Sequence, residues 1–296
     1  MKSISLQYFV AENLYKTEEK GNFGDEISPI IVQNLIGSDY DLRYNDDTCD
    51  ERLLVIGSLL HDAQPNDYIF GTGFGIEHNN KLSELNVCAV RGPLSREKLL
   101  ENGVDCPEVY GDAALLLPDY YEPNYLPNLE GKIGVVPHWT TYPLYEKLLT
   151  NSNQFYFINP TNPWQQVIDE IYSCDKIVSQ ALHGLICADA YNTPNVWLEE
   201  NLWSCVCGEL SVDSLLNPIE PQPPCSCGWN YQCLGKNLLQ HNGNFKFLDY
   251  LASQKREVSP ISHLREAIGA DYYEDGNQID LELLRNSFPF GQNTNL

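Results

Sequence analysis

A chain of 296 residues, 43% of them hydrophobic, is long enough for two domains of ordinary size, each with its own core. Its net charge of −23 argues against a nucleic-acid partner, whose phosphates need a basic surface, and against electrostatic adhesion to anionic lipid. With only 18 Lys and Arg residues, any site for an anionic substrate must be built locally from few cations, so each one at a loop of an α/β sheet is informative.

No stretch approaches the roughly 20 apolar residues that cross a bilayer. The segment Met1–Val10 reads as a first strand rather than a signal peptide, which places the protein in the cytoplasm.

The elements alternate between strand-like and helix-like segments, a pattern that favours parallel sheets. In the first half the pattern predicts a strand over 4–10 and a helix over 26–36 closed by Gly37. Strands over 52–56, 68–71 and 87–90 follow, then a helix over 93–102 that opens on Pro93 and stops at Gly103, and a short strand over 108–110. The proline-rich segment 118–131 reads as a linker. The pattern then restarts, with strands over 132–136, 155–158, 176–179 and 195–198 and helices over 143–149, 163–172 and 182–191. The expected architecture is two Rossmann-like halves facing each other across a cleft: an N-terminal domain over 1–120 and a C-terminal domain over 131–296. The latter carries a Cys-rich insertion over 201–244 and a tail that is helical near 247–252, 261–268 and 280–285.

Ligands of open α/β sheets bind beyond the carboxyl ends of the strands, which selects a few loops. Arg91, at a strand end before the helix opened by Pro93, joins a guanidinium fork to a helix N-terminus and suits a phosphate or carboxylate; the competing reading is a surface Arg paired with a carboxylate. His183, in Ser179-Gln-Ala-Leu-His-Gly184, follows another strand end, where a His can titrate near neutrality and serve as acid or base, although a lone His is often structural. His138, in Val136-Pro-His-Trp139, repeats that logic. In Asn22-Phe-Gly-Asp25, Asp25 reads as an N-cap, or with Asn22 as a holder of sugar hydroxyls.

Ten cysteines are present, five of them in one Gly/Pro-rich segment. Cys205, Cys207, Cys225 and Cys227 form two Cys-x-Cys pairs with Cys233 as a fifth. They are candidate ligands of a structural zinc, against the alternative of reduced thiols in an insertion.

Asn22-Phe-Gly-Asp25, Gly57-Ser-Leu-Leu60, Val90-Arg-Gly-Pro-Leu-Ser95, Tyr110-Gly-Asp-Ala-Ala-Leu-Leu-Leu-Pro118, Val136-Pro-His-Trp139 and Leu182-His-Gly-Leu-Ile-Cys-Ala-Asp-Ala-Tyr191 occur in one order. That order resembles the polysaccharide pyruvyl transferase family, as does the later Phe245-Lys-Phe-Leu-Asp-Tyr250. The resemblance implies a fold like that of two-domain GT-B glycosyltransferases, with the N-terminal domain on the acceptor side. It implies transfer of a pyruvyl group from phosphoenolpyruvate onto two hydroxyls of a sugar, giving a cyclic ketal and phosphate. The acceptor would be a polysaccharide or its lipid-linked or nucleotide-linked precursor, the former placing the enzyme at the inner face of the membrane.

His183 falls on the family's Leu-His-Gly motif and Arg91 on its Arg-Gly-Pro motif. Both would engage the donor, with His183 as proton donor and later base. Asn22, Asp25, Ser179 and Gly184 would border the substrates. Where the family often carries a basic residue before its Leu-His pair, this chain has Ala181, so a donor contact is expected from Lys132, His138 or Lys246. Ala113 stands where the family commonly has Pro, and segment 201–244 has no counterpart in the resemblance. The chemistry requires no cofactor. The rival readings are a GT-B glycosyltransferase using a nucleotide-sugar donor and an inactive carbohydrate-binding protein.

Overall fold

Two wholly parallel sheets organise the computed structural model, which describes residues 1–9, 21–75, 82, 84–139, 141–199 and 244–291. The first contains β1 (Lys2–Gln7), β2 (Tyr40–Tyr44), β3 (Glu51–Leu54), β4 (Tyr68–Phe70) and β5 (Asn86–Ala89), in the spatial order β2-β1-β3-β4-β5. Its helices are α1 (Phe23–Leu35) and α2 (Pro93–Glu101). The second contains β6 (Ile133–Val136), β7 (Phe155–Phe157), β8 (Lys176–Ser179) and β9 (Asn195–Trp197), in the order β7-β6-β8-β9. Helices α3 (Tyr142–Leu149), α4 (Trp164–Ser173) and α5 (Leu182–Ala190) belong to it. The mixed α/β architecture with parallel, Rossmann-like sheets is thus as expected. In each sheet the winding reverses beside its first strand, between β1 and β3 and between β6 and β8, where ligand crevices of such sheets form.

The strands are short and apolar because helices cover the sheets: all four residues of β6 are buried. Helix α5 is covered almost all round, with every residue from Leu182 to Asp189 buried. It packs on β8, on α4 and on a 3-10 segment, Ala113–Asp119, that descends from the first half. The largest apolar cluster accordingly draws on both sheets, with Ile4 and Leu6 joined to Leu185 and Ile186, rather than separating into one core per half.

The structure departs from the expected elements at several points. Strand β2 was missed because Tyr40, Leu42 and Tyr44 alternate with Asp41 and Arg43 on a half-exposed edge, a weak signal in five residues. The expected strand over 108–110 is a single bridge between Val90 and Tyr110. Gly103 takes the left-handed conformation (φ +78°) that ends α2, but Gly37 does not do so for α1; its N–H instead reaches the Phe290 carbonyl at 3.1 Å. Segment 118–131, the expected linker, is tied to α4. The Asp169 carboxylate accepts the Tyr121 hydroxyl at 2.7 Å, the Asn124 N–H at 2.9 Å and the Asn124 side-chain amide at 3.0 Å.

The tail, assigned from sequence to the second half, crosses back onto the first. Helix α6 (Phe245–Ser253) packs on α2, while α7 (Leu281–Asn286) packs on the 3-10 segment. Phe288 meets Phe70 edge-on with centroids 5.1 Å apart, and Phe290 lies 4.6 Å from Tyr68. The stretch expected as a helix over 261–268 is a 3-10 turn, Leu264–Ile268. Among the described residues no helix is long and apolar enough to cross a membrane.

Candidate active site

The loops beyond the carboxyl ends of the two sheets meet. Phe9 after β1 and Trp139 after β6 are in ring contact, with centroids 6.3 Å apart. The Phe23 N–H at the start of α1 donates to the Pro160 carbonyl after β7 at 3.1 Å. Four of the groups singled out from sequence, Asp25, Arg91, His183 and Lys246, come together here, and Asp112 joins them.

His183 is the second residue of α5 and is buried. Its ring lies directly over Gly24 of α1: a Cβ there would sit 2.0 Å from Nδ1. Only a residue without a side chain allows this approach, and the helix of one half thereby fixes the imidazole of the other. Gly24→Ala is expected to push the ring out of place and lower turnover about 100-fold, the usual penalty for an ångström-scale misplacement. Near-normal turnover in that variant would show that the ring position is immaterial. On its other edge His183 Nε2 faces Asp112 Oδ2 at 3.8 Å. Burial, then Lys246 and Arg91, depress the His183 pKa to about 3, so the ring is neutral at pH 7.

Asp112 caps the 3-10 segment, its Oδ1 accepting the Ala114 N–H at 3.0 Å. It is fully buried, which raises its pKa to about 7 against the lowering effects of that hydrogen bond and of Arg91. Asp112 stands within the motif Tyr110–Pro118, which by itself assigns it no role. The signal was there: a lone carboxylate opening the apolar run Ala113–Leu117 cannot be buried without a purpose or a partner.

Asp25 is not the N-cap of α1. Asn22 holds that position, and Asp25 sits inside the first turn, buried, where its Oδ2 accepts the Asn22 amide at 2.6 Å. Burial raises its pKa to about 7, with Lys246 opposing and Asp112 and Glu26 adding to the shift. Lys246, in the first turn of α6, faces Asp25; burial and Arg91 lower its pKa to about 8. His138 follows β6, and burial followed by Lys246 brings its pKa to about 3. The Gln180 side-chain oxygen accepts the His138 N–H at 3.4 Å and the Thr141 hydroxyl at 3.0 Å, joining the loops after β6 and β8.

Arg91 reaches the cluster from behind. It is fully buried, and its Nη1 donates to the Gly57 carbonyl at 3.3 Å and the Ser58 hydroxyl at 3.0 Å. Nη2 donates to the Phe74 carbonyl and lies 3.3 Å from Asp249 Oδ2. The N-terminus of α2, expected to face a donor anion, faces the Asp249 carboxylate instead, which accepts the Ser95 N–H at 2.9 Å and its hydroxyl at 2.5 Å. Arg91 thus supplies positive field to His183, Lys246 and Asp112 without an exposed face.

Ser179 shapes its own loop: its hydroxyl donates to the Ala181 carbonyl at 2.7 Å and accepts the Ala181 N–H at 3.1 Å. Gly184 packs against it, leaving no room for a Cβ. Lys132 precedes β6, at the end of the sheet opposite these loops, and bonds the Asn153 carbonyl. The candidate zinc ligands Cys205, Cys207, Cys225 and Cys227, with Cys233, lie outside the described residues. Among the described residues no cluster of three or more metal-ligating side chains occurs.

Comparison with known proteins bears on this arrangement. The chain is 29% identical to succinoglycan biosynthesis protein ExoV of Rhizobium meliloti (strain 1021), over 68% of its own length and 60% of the relative's. It is 23% identical to the uncharacterized protein L143 of Acanthamoeba polyphaga mimivirus, over 67% of its length and 68% of that protein's. The family model described as polysaccharide pyruvyl transferase matches residues 22–201, a stretch that begins at Asn22 and takes in Arg91, Asp112 and His183. This match spans more than half of the chain, which belongs to the polysaccharide pyruvyl transferase family.

Proposed function

We propose that this chain transfers a pyruvyl group from phosphoenolpyruvate to two hydroxyls of a sugar in a polysaccharide or its precursor, forming a cyclic ketal and releasing phosphate. The observation that carries the reading is the meeting of His183 and Asp25, both within the matched residues 22–201, with Lys246 at the carboxyl ends of both sheets. Similarity to a rhizobial succinoglycan biosynthesis protein supports a polysaccharide acceptor. The reaction would take place in the cytoplasm, where the donor is made. Residues 1–120 with the returning tail would form the acceptor side, and the sheet of β6 to β9 with its helices the facing half of a GT-B-like pair.

The donor is a compact trianion. Lys246 would hold its phosphate or carboxylate directly, taking the place of the basic residue absent at Ala181, while Arg91 holds the local potential positive. His183 gives a proton to C3 of the enol, and the electron pair of the C2=C3 bond forms the new C–H bond, leaving an oxocarbenium ion at C2. The first sugar hydroxyl attacks C2 and its proton passes to the Asp25 carboxylate, which Asn22 orients. The bond between C2 and the bridging phosphate oxygen then breaks, and phosphate departs with the proton held on Asp25. The second hydroxyl attacks the resulting cation and returns its proton to His183. Of the two hydroxyl protons lost overall, one ends on the product methyl and one on phosphate.

A neutral His183 in the empty site cannot give a proton, so the donor must bring one with it. Phosphoenolpyruvate binding near pH 7 is expected to take up a proton at His183, because a trianion beside the ring offsets Lys246 and Arg91 and raises its pKa. Calorimetric titration in buffers of different ionisation enthalpy measures this, and zero uptake would contradict it. Above pH 8, where Lys246 loses its own proton, kcat/KM for the donor should fall.

The test of the function is phosphate release from phosphoenolpyruvate with a panel of sugar acceptors, accompanied by a new ketal methyl resonance. Inactivity with phosphoenolpyruvate together with turnover of UDP-sugars would replace this reading with nucleotide-sugar glycosyl transfer.

A further inference from the structure

Three buried polar atoms of the site are without a hydrogen-bond partner, Arg91 Nε and two that face each other. Asp112 Oδ2 and His183 Nε2 are both inaccessible and unsatisfied, 3.8 Å apart. Such atoms are rare in folded proteins and call for an explanation. A bridging water would need roughly 4.5–5.5 Å between the heavy atoms, so the gap is too short for one and slightly too long for a direct bond. Neither group is free to drift away. Asp112 is pinned through Oδ1 to the Ala114 N–H, and the imidazole is backed by Gly24.

The charges around the pair explain why it stands open. Lys246 from α6 and Arg91 after β5 both bear on His183 and disfavour a second positive charge there. Arg91 also bears on Asp112, while Asp249 balances Arg91. Asp25 of α1 faces Lys246 and Asp112, and His138 after β6 faces Lys246.

We propose that Asp112 is the positioning residue of His183, and that the two close into a hydrogen-bonded ion pair when an anionic donor binds. The inference rests on the pyruvyl-transfer reading above for the identity of the donor, and adds a residue and a switch to it. An ionised Asp112 accepts from Nε2–H of the neutral ring, which leaves the lone pair on Nδ1. The bound anion offsets Lys246 and Arg91, the ring takes up a proton at Nδ1, and Asp112 stabilises the imidazolium from the opposite edge. Nδ1 then delivers that proton to C3, the N–H bond breaking as the C–H bond forms, and recovers one from the second sugar hydroxyl. Asp112 touches neither substrate.

The test uses the full chain with 15N-labelled histidine, the His183 resonances being identified by their loss in His183→Gln. In the wild type, His183 should be neutral at pH 7 with the proton on Nε2, and become doubly protonated when phosphoenolpyruvate is added without an acceptor. In Asp112→Asn the ring should stay neutral with the donor bound. Turnover should fall about 100-fold while KM for phosphoenolpyruvate changes less than about threefold, with partial recovery in Asp112→Glu. Protonation of His183 in Asp112→Asn to the wild-type extent overturns the proposal. Should that variant fail to fold, an Nδ1-protonated neutral ring in the empty wild type overturns it equally.

Inorganic phosphate serves as a second anion. If phosphate protonates His183 only when Asp112 is present, and phosphoenolpyruvate neither binds nor reacts, the dyad stands and the donor assignment falls.

Discussion

Replacing His183 with alanine is expected to lower turnover by about 10²–10⁴-fold, the range lost with a general acid–base group, while leaving the chain folded. The loss should be large because no neighbour can take over. His138 is the other imidazole of the cluster, and its pKa of about 3 keeps it neutral as well. Asp25 and Asp112 are each held by their own partner, Asn22 or the Ala114 N–H, and are not placed to take over the proton transfer of His183. The fold should survive because the His183 ring makes no hydrogen bond that its removal would break, and Asp112 can take a proton when left alone. Phosphate release from phosphoenolpyruvate, beside the circular dichroism spectrum, reads both halves of this statement. A rate near that of the wild type would remove His183 from the mechanism.

The second large effect concerns stability. Asp249→Ala should cost about 3–5 kcal/mol, the penalty for leaving one member of a buried ion pair without its partner. Arg91 and Asp249 are both fully buried, and the Asp249 carboxylate also holds the Ser95 N–H and hydroxyl at the start of α2. Without it a guanidinium remains charged in the interior and the N-terminus of α2 loses its anion. Asp249→Asn, which keeps an acceptor of similar shape, should cost less than the alanine variant. Urea unfolding of the three proteins measures the difference, and a loss under about 1 kcal/mol for the alanine variant would show that Arg91 is compensated elsewhere. The loss should also reach catalysis, since an unbalanced Arg91 makes protonation of His183 harder.

The sequence made much of this site legible, and unevenly. His183, Arg91 and Asp25 were found because polar groups at strand ends before helices stand out against apolar surroundings, and all three lie in the cluster. Their roles were less legible than their positions. The Arg91 fork is occupied by the chain's own carbonyls and by Asp249, a residue 158 positions later in the sequence. Asp25 reads as an N-cap by its place after Gly24, yet Asn22 holds that position. Asp112 carries one local signal, a lone carboxylate heading an apolar run, and its burial is settled only by how α5 packs on the 3-10 segment that it begins. The edge strand β2 escaped for the opposite reason, its alternation being too short to rise above a loop.

What the sequence determined by itself is local and periodic: parallel α/β architecture, element order, and the loops where ligands would bind. These follow from spacing and from the stop and start residues of each element, which act over a few neighbours. Only the tertiary structure decided which of those loops meet, that the tail returns to the first half, and which ionisable groups are neutral. Those outcomes depend on desolvation and on charges brought close from distant parts of the chain, such as Lys246 near Asp25 and His183 over Gly24. A pKa moved by burial has no counterpart in the order of residues. It arises only once the packing that excludes water is complete.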